Sequence, residues 1–449
     1  MIQLFALHTA YGLMTAVAAI DEGLIAPADE RVLIPINSAA IPETNRGLEE
    51  APHLRSLLGR FDRIEPLTPL LQPLHPTGWS PRAQELPLLE RLFRSAWRLD
   101  EEPIHVFVQT PQVAPTRTFL SMFAHAPLGI IGDGLMTYSP IRSPLPRSVL
   151  ERIQTVVYAD VVPGVEPLLF PDATRAPIEA AAFARTAAEV DESADDPELD
   201  LLAQDRTPTA LVLGQYLTAL DLVSRDEELA MQAQMIDRAG DWGVGRIVFK
   251  PHPSAPPALT DTVRARALRR GIAFTTYQGD VPAEAVAERL SVTGVVGGFS
   301  TALPTVHAIA GTPIAAVGND VVLERLRPFE NGNRVPATIV DAITRPGSSF
   351  ADPRELQLLI EAVGYAMQPR IAADLRASAE ELLERISPAD RGRYFSPSRL
   401  AELSLPGAPR SHVLRLRSSA GFGRAEEARL AVRGAIRRAR RAWKAVRGE

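Results

Sequence analysis

Thr209-Ala210-Leu211-Val212-Leu213-Gly214-Gln215 is an apolar run of strand length that closes on a Gly-Gln corner. It follows Asp172 to Thr207, an acidic stretch that holds Asp191-Glu192-Ser193-Ala194-Asp195-Asp196-Pro197-Glu198 and reads as strandless. The run therefore restarts a β/α rhythm that the acidic stretch interrupts, and the chain divides there into two α/β halves.

Downstream, the alternation predicts helices over 226–239, 260–270 and 283–290, and strands over 246–249, 272–275, 294–296 and 313–317, continuing to about residue 386. Upstream, strands are expected over 2–7, 31–36, 104–109 and 128–131, and helices over 11–22, 87–98 and 115–123. The last two helices open on proline, which suits a first helical position. Residues 42–52 and 66–81 read as proline-punctuated loops without regular elements. The expected organisation is an N-terminal lobe over 1–170, an acidic linker over 171–207, a C-terminal lobe over 208–390 and a basic helical tail over 391–449. Open parallel sheets bind ligands at the carboxyl ends of their strands, so a cleft between the lobes is the place to look for chemistry.

The composition, 46% hydrophobic and 23% charged over 449 residues, is that of a globular protein rather than a disordered or fibrous one. There is no cysteine, which excludes disulfides, thiolate metal sites and a thiol nucleophile. No stretch approaches the roughly 18 uninterrupted apolar residues of a membrane span. The apolar N-terminus lacks a basic flank, so no secretory signal is expected and a cytoplasmic location is. The net charge of −6 hides an asymmetry: residues 410–449 carry eleven Arg and one Lys against three Glu, a net of +9, and the remainder carries −15.

Three segments fall just after expected strands and carry chemistry. Asp133, between Gly132 and Gly134, is a carboxylate on a loop free to turn sharply, able to deprotonate a hydroxyl or simply to make an Asp-Gly turn. His252 lies in Lys250-Pro251-His252-Pro253, where the prolines restrict the imidazole's direction; it suits a phosphate oxygen, or an incidental surface loop. His75-Pro76 repeats the dipeptide in a loop with no strand before it, and reads as structural or acceptor-side. Ser300 and Thr301 follow Gly297-Gly298-Phe299, and their hydroxyls suit either a phosphate or a helix cap. Glu284 at the entrance of a helix can accept from ribose hydroxyls or serve the helix dipole. Gly214-Gln215 can abut a nucleotide or make a tight turn. Gly243-Val244-Gly245 precedes a strand, so it is no dinucleotide loop, and P-loop, zinc-protease and serine-elbow motifs are missing.

The ordered set resembles the bacterial polysialyltransferase-like family of GT-B sialyltransferases. The matching stretches are Asp133-Gly134-Leu135-Met136-Thr137-Tyr138, Lys250-Pro251-His252-Pro253 and Phe299-Ser300-Thr301-Ala302-Leu303. Further ones are Val161-Val162-Pro163-Gly164, Leu213-Gly214-Gln215, Pro282-Ala283-Glu284 and Pro328-Phe329-Glu330-Asn331-Gly332-Asn333-Arg334. One departure is visible: the family often has two acidic residues before the glycine, and here the first is Gly132. The resemblance implies a GT-B architecture of two Rossmann-like lobes facing a central cleft. It implies CMP-sialic acid as donor and an inverting transfer that needs no metal or cofactor, consistent with no Asp-x-Asp pair in the expected cleft. Asp133 would be the base and His252 the group that assists departure of CMP. Ser300 and Thr301 would hold the phosphate and Glu284 the nucleoside, with Gly214, Gln215, Lys250 and Pro253 also on the donor side. A glycan or glycolipid acceptor is implied, with His8, Asn37, Asn45, Arg117 and Arg142, and Trp79 beside them, as acceptor-side candidates.

The same residues leave other readings open: a CMP-Kdo transferase, a CDP-polyol phosphotransferase, or a nucleotide-sugar-binding protein without catalysis. The tail over 425–446 reads as a basic amphipathic helix with Leu430, Val432, Ile436 and Trp443 as apolar bulk, suited to an anionic membrane surface. Peripheral contact with the inner membrane face is expected, and nucleic acid is not.

Overall fold

The computed structural model describes residues 1–39, 42, 46–252 and 257–409. Two wholly parallel sheets organise them. The first runs in the order β3-β2-β1-β4-β5-β6-β7 and comprises β1 (Ile2–Leu7), β2 (Glu30–Pro35), β3 (Arg63–Ile64), β4 (Ile104–Gln109), β5 (Leu128–Ile131), β6 (Ile153–Ala159) and β7 (Thr174–Ile178). The second runs in the order β10-β9-β8-β11-β12 and comprises β8 (Thr209–Leu213), β9 (Arg246–Lys250), β10 (Ala273–Thr276), β11 (Gly294–Gly297) and β12 (Ile314–Ala316). This is the expected α/β class, with the expected strands found to within a residue or two of their bounds.

The central strands explain the layering. All six residues of β1 are buried, as are all five of β8, because helices cover both faces of each sheet. Strand order reverses between β1 and β4 in the first sheet and between β8 and β11 in the second. Each reversal opens a crevice at the carboxyl ends of its strands, and the loops that carry the sequence motifs leave from those ends.

The stretch over 171–207 is not a strandless linker. Thr174–Ile178 pairs in parallel with β6 as the seventh strand, and helices Ala180–Ser193 and Pro197–Gln204 follow. Pro177 is tolerated because β7 is an edge strand, and its short, half-polar sequence hides the pattern. Ala182, Phe183, Thr186, Ala187 and Val190 give the first helix a buried face. The acidic run that suggested a linker is a set of partners: Asp191 and Asp200 pair with Arg289, and Asp196 caps the second helix. Strand β6 was not expected either. The proline-punctuated stretches hold helix Leu67–Leu71 and short 3-10 turns over Leu48–Glu50, Pro52–Leu54 and Pro76–Gly78.

Beyond β12 the chain is helical. Helix Pro353–Met367 returns to the first sheet's side, where Gln357 accepts from the Glu166 backbone at 2.7 Å and Leu168 lies against Gly364. Helices Pro388–Tyr394 and Pro397–Leu403 bury Tyr394, Phe395 and Leu400, so the expected start of the tail at 391 falls inside packed structure. The basic segment over 410–449 lies outside the described residues. Among those described, no helix is long and apolar enough to cross a membrane.

Candidate active site

The loop after β5 carries Asp133, and its contacts decide what the carboxylate can do. Asp133 Oδ1 accepts from Gln109 Nε2 at 2.9 Å, and Oδ2 accepts from Thr110 Oγ1 at 3.2 Å. The Asp133 N–H donates to Thr137 Oγ1 at 2.8 Å, which pins the loop. Burial raises the Asp133 pKa above its usual 3.8, while the Gln109 and Thr110 hydrogen bonds pull it back. The side chain stays partly exposed. A Cβ at Gly132 would lie 2.8 Å from the Tyr158 Cβ and 3.0 Å from the Val157 carbonyl, so an acidic residue there has no room.

Asp133 does not stay within its own sheet. Gly134 has φ +52°, and a Cβ there would meet the Thr301 methyl at 2.3 Å. The Leu135 N–H donates to Thr301 Oγ1 at 3.3 Å. Ser139 Oγ donates to the Gly332 carbonyl at 3.1 Å, and Gly332 also abuts Met136 and the Arg142 stem. Two of the three motifs, around Asp133 and Thr301, thus touch each other across the two sheets. Ser300 Oγ accepts from the Ala302 N–H at 3.3 Å, at the start of helix Ala302–Ala310.

The remaining donor-side candidates surround the carboxyl ends of the second sheet. Gln215, after β8, packs its carboxamide against Gly298 of the loop after β11. Gly214 fits closely against Phe249 and Pro251. His252 follows β9 and is exposed; partial burial lowers its pKa below 6.5, and the Glu228 carboxylate pulls the other way. Lys250, two residues before His252, is tied to the loop after β10. Its Nζ donates to the Gly279 carbonyl and lies 4.7 Å from the Tyr277 ring centroid. Desolvation brings its pKa down to about 8, against the pull of Asp280 and Glu284. Glu284 is only 6% exposed, and burial raises its pKa, countered by its own backbone N–H and by Lys250. Lys250 therefore anchors the loop that leads into Glu284's helix. Pro253 lies outside the described residues.

Of the residues expected on the acceptor side, His8 shares the Gln109 side chain with Asp133. Its Nε2 lies 2.8 Å from Thr116 Oγ1 and its Nδ1 3.2 Å from Ser38 Oγ, while its N–H donates to Gln109 Oε1. Burial lowers its pKa to about 4, so it is neutral at pH 7. Arg142 is exposed beside Gly332, with its N–H on Gln112 Oε1. Arg117 is exposed on helix Ala114–Met122. Asn37 shapes its own loop by donating to the Pro42 carbonyl and accepting from the Ala39 N–H. Trp79 is a core residue packed on Phe93 and Phe119, and His75 braces the Ala39 carbonyl and Thr77. Asn45 lies outside the described residues.

Sequence reading missed Thr9, Tyr11, Gln109 and Thr110. Tyr11 starts the helix after β1, and its hydroxyl sits 3.4 Å from Thr305 Oγ1 across the junction of the sheets. Burial raises its pKa, the hydrogen bond with Thr305 pulls it back, and the charges of Glu284 and Asp133 add to the rise. Thr110 has φ +53°, an outlier for a β-branched residue that costs roughly 1–3 kcal/mol and that aims its hydroxyl at Asp133. Their one sequence signal is position, at the carboxyl ends of β1 and β4. Among the described residues no group of three or more His, Asp or Glu is arranged to hold a metal ion. A separate cavity of about 310 Å³, lined by Gly164, Glu166, Arg354, Gln357, Leu358 and Glu361, has none of these motif carboxylates or hydroxyls in its wall.

A model of the alpha-2,8-polysialyltransferase family matches residues 3–318. Among solved structures, the chain is similar to the GT-B domain of a sialyltransferase from Photobacterium damselae, at 12% identity and TM-score 0.43, over 76% of this chain and 96% of that one. It is similar to UDP-GlcNAc 2-epimerase from Methanocaldococcus jannaschii at 9% identity and TM-score 0.39, over 81% and 100% of the two chains. A third is E. coli heptosyltransferase WaaC, at 13% identity and TM-score 0.33, over 70% and 88%. No curated protein matches the chain.

Proposed function

The chain belongs to the alpha-2,8-polysialyltransferase family, and we propose that it moves sialic acid from CMP-sialic acid to a glycan hydroxyl, with inversion and without a metal. The observation that carries the reading is the junction at which the Asp133 loop meets Thr301, because it sets an acidic loop of one sheet against a hydroxyl loop of the other.

In this reading Asp133 takes the proton of the acceptor hydroxyl as that oxygen attacks the anomeric carbon. The bond from that carbon to the CMP phosphate oxygen breaks, and its electron pair leaves with CMP. His252, Ser300 and Thr301 receive the phosphate by hydrogen bonding, and His252 protonates as negative charge gathers there. Glu284 accepts from the ribose hydroxyls, with Lys250 holding its loop. His8, neutral and hydrogen-bonded to Thr116, lines the acceptor side, with Arg142 at its outer edge. We place the enzyme in the cytoplasm, with the basic segment over 410–449 on the inner membrane face, where lipid-linked acceptors lie.

Calorimetric titration with CMP, UMP and CDP, followed by CMP-sialic acid hydrolysis, tests the donor. Preferential CMP binding and release of sialic acid are expected. A clear preference for UMP would overturn the donor assignment, and CMP binding without turnover on any glycan would leave a binding protein.

A further inference from the structure

We propose that Gln109 is the positioning residue of the Asp133 carboxylate, held in one orientation by the start of the first helix and by the space that Gly12 leaves. The inference rests on the reading of Asp133 as the base. Gln109 ends β4 and is fully buried, beside β1 at the reversal of strand order.

Its carboxamide makes four contacts. Oε1 accepts from the N–H groups of His8 at 2.9 Å and Thr9 at 3.2 Å. Nε2 donates to Thr9 Oγ1 at 2.7 Å and to Asp133 Oδ1 at 2.9 Å. An amide oxygen accepts two hydrogen bonds and an amide nitrogen donates two, so this group is used up. Turning it over would set its NH₂ against two backbone donors, so the backbone of residues 8 and 9 dictates which end faces Asp133. Thr9 is fixed in turn, because its Oγ1 also accepts from the Gly12 N–H at 3.0 Å as the helix cap. A Cβ on residue 12 would fall 2.2 Å from Gln109 Oε1 and 2.4 Å from its Cδ.

Asp133 therefore has one oxygen held by Gln109 and the other by Thr110. Each carboxylate oxygen keeps a further lone-pair site for an incoming hydroxyl. The Gln109 contact favours the ionised carboxylate, so its removal moves the Asp133 pKa upward, in the same direction as burial.

The test is a series measured as kcat, donor KM, the pH profile of kcat/KM and CMP affinity, on wild type, Gln109→Met, Gly12→Ala and Asp133→Asn. Gln109→Met keeps the length and removes the donor. It is expected to lower kcat about a hundredfold, to move the acid limb of the profile to higher pH, and to leave CMP affinity intact. Gly12→Ala pushes the same amide from the opposite side and is expected to shift the limb in the same direction, which keeps the test open should Gln109→Met fail to fold. If Asp133→Asn is inactive while both other variants keep the wild-type rate and acid limb, Gln109 does not position the base. If Asp133→Asn retains the wild-type rate, the base assignment itself falls, and this inference falls with it.

Discussion

Asp133 and His252 enter the proposed reaction with opposite demands on their protons. Asp133 must be ionised to accept one, and its pKa lies above 3.8 because burial outweighs its two hydrogen bonds. Activity therefore rises with pH through that raised pKa. His252 starts below 6.5, so it is neutral in the free protein at pH 7. A phosphate set against it would favour the imidazolium. NMR titration of His252 is expected to give a pKa below 6.5 alone and a higher one when saturated with CMP; a pKa that CMP leaves unmoved would separate His252 from the phosphate. Both residues were legible because each sits in a short motif flanked by Gly or Pro. Gln109, Thr9 and Tyr11 were not, because nothing in their own segments is unusual, and they matter through partners far along the chain, from Asp133 for Gln109 to Thr305 for Tyr11.

At the scale of elements, the loop after β5 and the helix after β11 act as one unit. Gly134→Ala would place a side chain at φ +52° and drive its Cβ into Thr301. It is expected to destabilise the fold by more than about 1 kcal/mol and to lower transfer further than the stability loss explains. Thr301→Val, which removes only the acceptor for the Leu135 N–H, should be milder in unfolding measurements; equal unfolding costs would argue against the clash. Strand β4 carries a second consequence. The His105 ring stacks on Phe107 at 4.3 Å, and its Nε2 has no hydrogen-bond partner among the described residues. Its pKa is lowered to about 4 by burial. Since the unfolded value is near 6.5, the unfolded chain binds that proton more readily between pH 4 and 6.5, and stability falls as pH drops through this window. Compared with His105→Phe, the wild type should lose roughly 2 kcal/mol more between pH 7 and 4.5 in urea melts, after allowance for solvent screening. Equal losses would contradict this. Strands β1, β4, β5 and β8 were readable as continuous apolar runs. Strand β7 was not, because an edge strand needs neither length nor an unbroken apolar face, and its acidic sequel takes its meaning from Arg289, nearly a hundred residues on.

For the whole molecule, the two parallel sheets followed from the β/α rhythm, but their joining did not. Helix Ala180–Ser193, read as linker, packs its Phe183 ring 5.1 Å from Tyr11, and helix Pro353–Met367 runs back to the first sheet's side. The first contact ties the expected linker to the N-terminal lobe, and the second ties the expected C-terminal lobe to the N-terminal one. Charge is distributed just as unevenly, with +9 in residues 410–449 against −15 in the rest. Deleting 410–449 is expected to leave transfer to a soluble acceptor unchanged and to abolish co-sedimentation with vesicles that contain anionic lipid; unchanged sedimentation would refute the membrane proposal. The account as a whole stands on Asp133 acting as a base against a CMP-linked sugar. The most direct measurement is acceptor-dependent CMP release from CMP-sialic acid by wild type and Asp133→Asn, with CMP affinity recorded for both. The predicted result is equal affinity and a loss of rate of at least about a hundredfold in the variant. A variant that binds CMP and transfers at the wild-type rate would contradict it.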